Sequence, residues 1–164
     1  MRIFIIADTH FCHKNIIGYS GRPFKTIDEM NDEMIKRWNN KAGKDDFVIH
    51  LGDFALGSRE EVTNIKNKLN GNIILLKGSH DHKTIRELGF LIINGSLEIG
   101  NLIFSHNPLR KEEIPKGFIN VHGHIHEKES LNGVNVSVEK TNYEPVELED
   151  LKDRIFANLT REKR

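Results

Sequence analysis

Apolar residues fall along this chain in short runs, and most of the runs stop at a turn bearing aspartate or histidine. Arg2 to Ala7 (RIFIIA) is a β-branched and aromatic stretch that ends at Asp8-Thr9-His10, as a buried parallel strand ends. Thr26-Ile27-Asp28-Glu29 has the form of a capping box, and Ile27, Met30, Met34 and Trp38 then recur at helical spacing until Gly43. Asp46 to Leu51 (DFVIHL) predicts a second strand, closed by Gly52-Asp53. Ser58-Arg59-Glu60-Glu61 opens another helix with Val62, Ile65 and Leu69 on one face, ended by Asn70-Gly71. Asn72 to Lys77 (NIILLK) is a third strand, and it runs into Gly78-Ser79-His80-Asp81.

After a short helix expected around Thr84 to Leu88 the rhythm changes. Phe90 to Ile93, Ser96 to Ile99 and Leu102 to Phe104 read as brief strands, separated by Asn94-Gly95 and Gly100-Asn101, pairs that favour hairpin turns. This part of the chain is therefore expected to be meander-like, ending at Ser105-His106. Phe118 to Val121 and Gly133 to Val138 are further strand patterns, the first leading into His122-Gly123-His124-Ile125-His126. Val146 to Leu159 predicts a closing helix, with a frayed tail at Arg161 to Arg164. The order βαβαβα followed by a run of strands implies an α/β sandwich of mixed sheets with helices outside.

Composition narrows this only a little. A length of 164 residues suits one domain, spanning 1–164, with room for a real core. Lys+Arg and Asp+Glu are equal at 24 each, so net charge gives no reason to expect duplex nucleic acid or an anionic membrane as partner. No apolar run reaches the length of a membrane span, and the N-terminus enters a strand pattern rather than a signal peptide, so a cytoplasmic protein is expected. Cys12 is the only cysteine, which excludes an intramolecular disulfide and a cysteine-rich zinc site.

Nine histidines change the picture, because imidazole is the side chain best suited to metal binding and proton transfer near neutral pH. They collect with aspartates at strand ends, the place where open α/β sheets bind ligands. Asp8 and His10 are two residues apart, as are His124 and His126, and on an extended backbone such pairs project from one face. Asp53 offers a carboxylate able to bridge two cations. The glycines before Asp53, His80 and His124 allow the backbone to turn close to them.

These blocks, Asp-x-His at Asp8, Gly-Asp at Asp53, Gly-x-His-Asp at Gly78, His106 and Gly-x-His-x-His at Gly123, resemble the calcineurin-like metallophosphoesterases in content and order. The resemblance implies a two-sheet sandwich flanked by helices and a dinuclear metal-dependent phosphoesterase. It assigns Asp8, His10, Asp53 and His126 to a first metal, and Asp53, Ser79, His106 and His124 to a second. His80 matches the family's catalytic histidine and Asp81 the acid that orients it. Two divalent cations are implied, manganese or iron, with zinc or nickel also compatible with nitrogen and oxygen donors. A hydroxide bridging them would attack a phosphodiester or phosphomonoester, with His80 assisting the leaving group.

Ser79 departs from the pattern, standing where the family places an asparagine ligand. A serine hydroxyl is a shorter and poorer neutral ligand than an amide carbonyl, so a weaker second site is expected. His13, Lys14, Arg22 and Arg110 are candidate substrate contacts in loops, with a small phosphate ester or cyclic nucleotide as partner. His50 and His122, inside strand patterns, are expected to be satisfied core or supporting histidines, while His82 faces either substrate or solvent. The competing functions are a family member that kept the fold as an interaction scaffold with impaired catalysis, and a small nuclease for single-stranded or short substrates. Exposed apolar surface away from the histidines would favour the scaffold. Basic residues around the cleft would favour the nuclease.

Overall fold

The computed structural model describes residues 1–81, 85 and 87–161, with the side chains of 156–161 outside the description. His82, and Thr84 and Arg86 of the helix expected at Thr84 to Leu88, lie outside those residues. Strands β1 (Ile3–Ile6), β2 (Phe47–His50), β3 (Asn72–Leu76) and β4 (Leu91–Ile93) pair in parallel, and β9 (Val146–Glu147) adds an antiparallel edge, in the order β4-β3-β2-β1-β9. A second sheet orders β5 (Leu97–Ile99), β6 (Leu102–Ser105), β7 (Ile119–His122) and β8 (Val134–Asn135) as β5-β6-β7-β8. The helices are α1 (Ile16–Tyr19), α2 (Ile27–Lys41), α3 (Arg59–Lys68) and α4 (Leu148–Arg161), with a 3-10 turn at Lys111–Glu113. The two mixed sheets with helices against them are the α/β sandwich that the sequence implied.

The first sheet is buried on both faces, which is why its strands are nearly continuous in apolar residues. Side-chain alternation divides them between two cores. Phe4, Ile6, Val48 and Leu75 meet Met30, Met34 and Trp38 of α2 and Val62 and Ile65 of α3. Ile5, Ala7, Ile49, Leu51 and Leu76 instead meet Phe104 and Val121 of the second sheet and Leu151 of α4. Trp38 is wholly buried, worth roughly 1.5–3 kcal/mol as a large apolar side chain, and its indole N–H donates to Asn70 O at 2.9 Å. Helices α2 and α3 begin where the capping residues predicted. Ser58 forms a full capping box with Glu61. Thr26 accepts from Glu29 N–H, while the Glu29 carboxylate reaches back to Lys25 N–H instead of Thr26 N–H.

Three expectations are corrected. Only Gly100-Asn101 makes a hairpin, between β5 and β6. Asn94-Gly95 carries the chain from one sheet to the other, and β6, β7 and β8 are parallel, so the region is not a meander. The strand expected over Gly133 to Val138 stops at Asn135, because Val136 to Val138 bend toward the first sheet, where Ser137 bridges Ala7. The closing helix starts at Leu148, since Val146 and Glu147 are paired with β1. The parallel arrangement has a direct consequence for function: β1, β2, β3, β6 and β7 all deliver their C-terminal ends, and the polar turns after them, to one edge of the sandwich.

Candidate metal centre

Two clusters of metal-type ligands form at that edge. Asp8, His10 and His126 bring their donor atoms within 4.8 Å of one another, and so do Asp53, His106 and His124. Asp53 links the clusters: its Oδ2 lies 3.6 Å from His10 Nε2 and 3.5 Å from His106 Nε2. The sequence pairs do converge, but not by extended backbone. Asp8, His10, Asp53, His124 and His126 all have left-handed backbones, with φ between 47° and 71°. A non-glycine residue there costs roughly 1–2 kcal/mol, and such strain gathers where function fixes a side chain.

Backbone hydrogen bonds hold these loops side by side. Asp8 N–H donates to Gly52 O and His10 N–H to Asp53 O, each at 3.0 Å, and Gly123 N–H donates to His106 O. Gly78 and Gly123 are required by close approach: a Cβ on the first would collide with Asp53 N and Oδ1, and on the second with Asp8 Oδ2. Asp81, expected to orient His80, instead accepts from the N–H groups of Asp53, Phe54 and Gly78, so it shapes the loops that present Asp53. Burial pushes its carboxyl upward, and those three hydrogen bonds oppose the shift.

For His106 and His126, supporting contacts engage one ring nitrogen and leave the other free for a cation. His106 Nδ1 lies 2.9 Å from Leu51 O, which leaves Nε2 for the centre, 3.2 Å from His124 Nδ1. His126 Nδ1 lies 3.1 Å from Glu139 Oε1, leaving its Nε2 for the first cluster. Glu139 in turn is held by the wholly buried guanidinium of Arg22, which also donates to the carbonyls of Asp8 and Thr9. Ser137 Oγ and His124 N–H both reach Asp8 Oδ2.

The residues fit cations. Buried polar atoms are normally hydrogen-bonded, yet Asp8 Oδ1 and both ring nitrogens of His10 have no hydrogen-bond partner among the described residues. Burial pushes the Asp8 carboxyl up to about 6, against the opposing pull of His106, Ser137, His126 and the His124 N–H. Burial likewise drives His10 toward its neutral, ligand form. Burial also acts to raise Asp53, but His106, the His80 N–H and His10 outweigh it and hold this carboxylate below its usual range. One buried carboxylate lacking positive charge, a second kept ionised and a neutral imidazole between them make a set of donors suited to a divalent ion.

The other sequence candidates divide. His80 is exposed at the cleft, its ring centroid 5.6 Å from that of His10, and its N–H donates to Asp53 Oδ1 at 2.7 Å. Ser79 beside it is exposed. His13 lines the same cavity of about 390 Å³, with His10, His80, His124 and His126. Lys14 lines a neighbouring cavity instead. Arg22 is not a phosphate contact, because every part of its head group is engaged with Asp8, Thr9 and Glu139. Arg110 is exposed, paired with Glu112 and Glu113, and absent from the cleft lining. His50 and His122 are satisfied: the first by Thr9 Oγ1 and Gly52 N–H, the second by Gly123 O and Ser130 Oγ. Burial pushes the Cys12 thiol up to about 11, which disfavours its thiolate form. Glu139 and Ser137 were not anticipated; their only sequence signal was one polar side chain between Val136 and Val138 and another just after them.

The calcineurin-like phosphoesterase family matches residues 1–163. An uncharacterized protein from Methanocaldococcus jannaschii, MJ1445, is 37% identical over 160 residues, spanning 90% of this chain and 88% of its own length. Among solved structures, the Aquifex aeolicus protein of unknown function AQ665 superposes with a TM-score of 0.75 at 23% identity, over 93% of this chain and 98% of that one. Pseudomonas putida nuclease MPE shares the fold more distantly, with a TM-score of 0.52 and 19% identity over 76% of this chain and 62% of its own. The sheet pairing, the strand-end ligands and the match over nearly the whole length agree, and the chain belongs to the calcineurin-like phosphoesterase family.

Proposed function

We propose that this metal-dependent phosphoesterase hydrolyses phosphodiesters in preference to monoesters at a two-cation centre. The observation that carries the reading is Asp53 Oδ2, set between His10 Nε2 and His106 Nε2 so that one carboxylate serves both ligand clusters. Asp8, His10, Asp53 and His126 would hold the first ion, and Asp53, His106, His124 and, more weakly, Ser79 the second. Manganese or iron suits these donors. Bound there, two cations activate water and neutralise charge on the phosphoryl oxygens.

The protein's own groups do the rest. Asp81 and Gly78 fix the loop from which His80 reaches the cleft, and His80 donates a proton to the departing oxygen, a contribution typically worth ~10²–10⁴ in rate. Arg22 and Glu139 lock His126 in one orientation. The cleft has no cap over it among the described residues, so small diesters have direct access. The large exposed hydrophobics, among them Leu56, Leu91 and Leu131, are spread over the surface, which gives a scaffold role little support.

Hydrolysis of bis-p-nitrophenyl phosphate, run beside p-nitrophenyl phosphate with Mn²⁺ added and after chelation, tests the proposal. Metal-dependent turnover with the diester faster is expected; no turnover of either overturns it. Ser79→Asn is expected to tighten the second ion by roughly tenfold, the scale on which ligand support acts, and to raise diester turnover. Unchanged occupancy and turnover would show that position 79 does not limit the site.

A further inference from the structure

The metal cleft continues past His13. Tyr19 lines both that cleft and a second cavity of about 770 Å³, whose walls include Lys14, Ile17, Gly18, Lys25 and Ile27. The Tyr19 ring is 75% exposed and braced on one side by His13, with ring centroids 6.2 Å apart at 73°. Neither Lys14 nor Lys25 pairs with an acid among the described residues. The nearby Glu29 carboxylate accepts from the Lys25 backbone N–H and forms no ion pair among the described residues. An exposed ring and two ammonium groups unpaired among the described residues therefore line one cavity, which shares Tyr19 with the metal cleft.

From this juxtaposition we propose that the second cavity is an adjacent-nucleotide subsite, in which an unpaired base stacks on Tyr19 and the next phosphate is held by Lys14 and Lys25. The inference rests on the diesterase reading and names its substrate class as single-stranded oligonucleotides. A compact diester needs only the smaller cleft and leaves the lysines without a partner. Stacking on an aromatic ring accepts any base but requires its face to be free, which selects single strands over duplexes. Lysine meets phosphate as a point charge and imposes no sequence preference. The balanced net charge of the chain is consistent with a local contact of this kind rather than a long basic track.

The test is fluorescence anisotropy with labelled tetrathymidylate carrying phosphorothioate linkages, on Mn²⁺-loaded protein. Tyr19→Ala is expected to weaken binding roughly fivefold or more, the scale of one lost base stack, and Tyr19→Trp to restore it. The double variant Lys14→Ala/Lys25→Ala should lower the slope of log affinity against log salt by about 0.7, one single-strand phosphate contact. Affinity indifferent to Tyr19, a loss that tryptophan does not restore, or an unaltered salt slope overturns the subsite. The diester assay separates the two readings. Turnover of bis-p-nitrophenyl phosphate with Tyr19-independent binding defeats the subsite alone, whereas Tyr19-dependent binding without diester turnover defeats the diesterase reading.

Discussion

Asp53→Asn is expected to lower diester turnover by about three orders of magnitude and to reduce the bound ions from two to one or none. The amide keeps the size of the carboxylate and an oxygen to accept the His80 N–H, so the loop retains its shape. It removes the negative charge from the one oxygen that lies close to ligands of both clusters. Lewis-acid assistance is worth several kcal/mol, and at about 1.4 kcal/mol per tenfold that corresponds to roughly 10³ in rate. Elemental analysis of the dialysed protein reads the occupancy, and the bis-p-nitrophenyl phosphate assay reads the rate. Two ions still bound, with turnover within tenfold of the wild type, would mean that Asp53 does not bridge.

The second large effect is on stability. Arg22 is wholly buried and Glu139 is 4% exposed, so Arg22→Met leaves an uncompensated carboxylate in the interior beside His126. Breaking a buried pair from one side typically costs about 3–5 kcal/mol. In a domain of this size each kcal/mol moves the melting temperature by roughly 2–4 °C, so a fall of about 6–20 °C is expected. Adding Glu139→Gln to Arg22→Met should recover part of the loss, because a neutral amide leaves no charge stranded. Glu139→Gln alone is expected to weaken the first ion by roughly 10–100-fold, as loss of an imidazole's supporting acceptor does. Thermal melts and metal titrations decide; an Arg22→Met protein as stable as the wild type would show that the buried pair contributes nothing.

The strand ends were legible because a buried apolar run followed at once by aspartate or histidine has few structural explanations. Asp8, His10, Asp53, His106, His124 and His126 follow that rule, and they are the residues the structure gathers. The geometry that gathers them was not legible. The two-residue spacing suggested extended backbone, whereas close packing of the loops imposes left-handed conformations, with Gly78 and Gly123 leaving room for Asp53 and Asp8. Arg22 read as a candidate substrate contact because nothing near it in sequence shows that Glu139 lies alongside. Ser137 fell inside the strand expected over Gly133 to Val138 and Glu139 just beyond it, and only the turn toward Ala7 exposes their role. Asn94-Gly95 marked a turn correctly, but a dipeptide does not say to which sheet the next strand belongs.

The contacts that complete the first ligand cluster span most of the chain: Ser137 reaches Asp8 across 129 positions, and Glu139 reaches Arg22 across 117. During ribosomal synthesis at about 5–20 residues per second, Glu139 is polymerised roughly 6–26 s after Asp8. The nascent polypeptide therefore carries Asp8 and Arg22 for many seconds before Ser137 and Glu139, their partners in the finished molecule, are made.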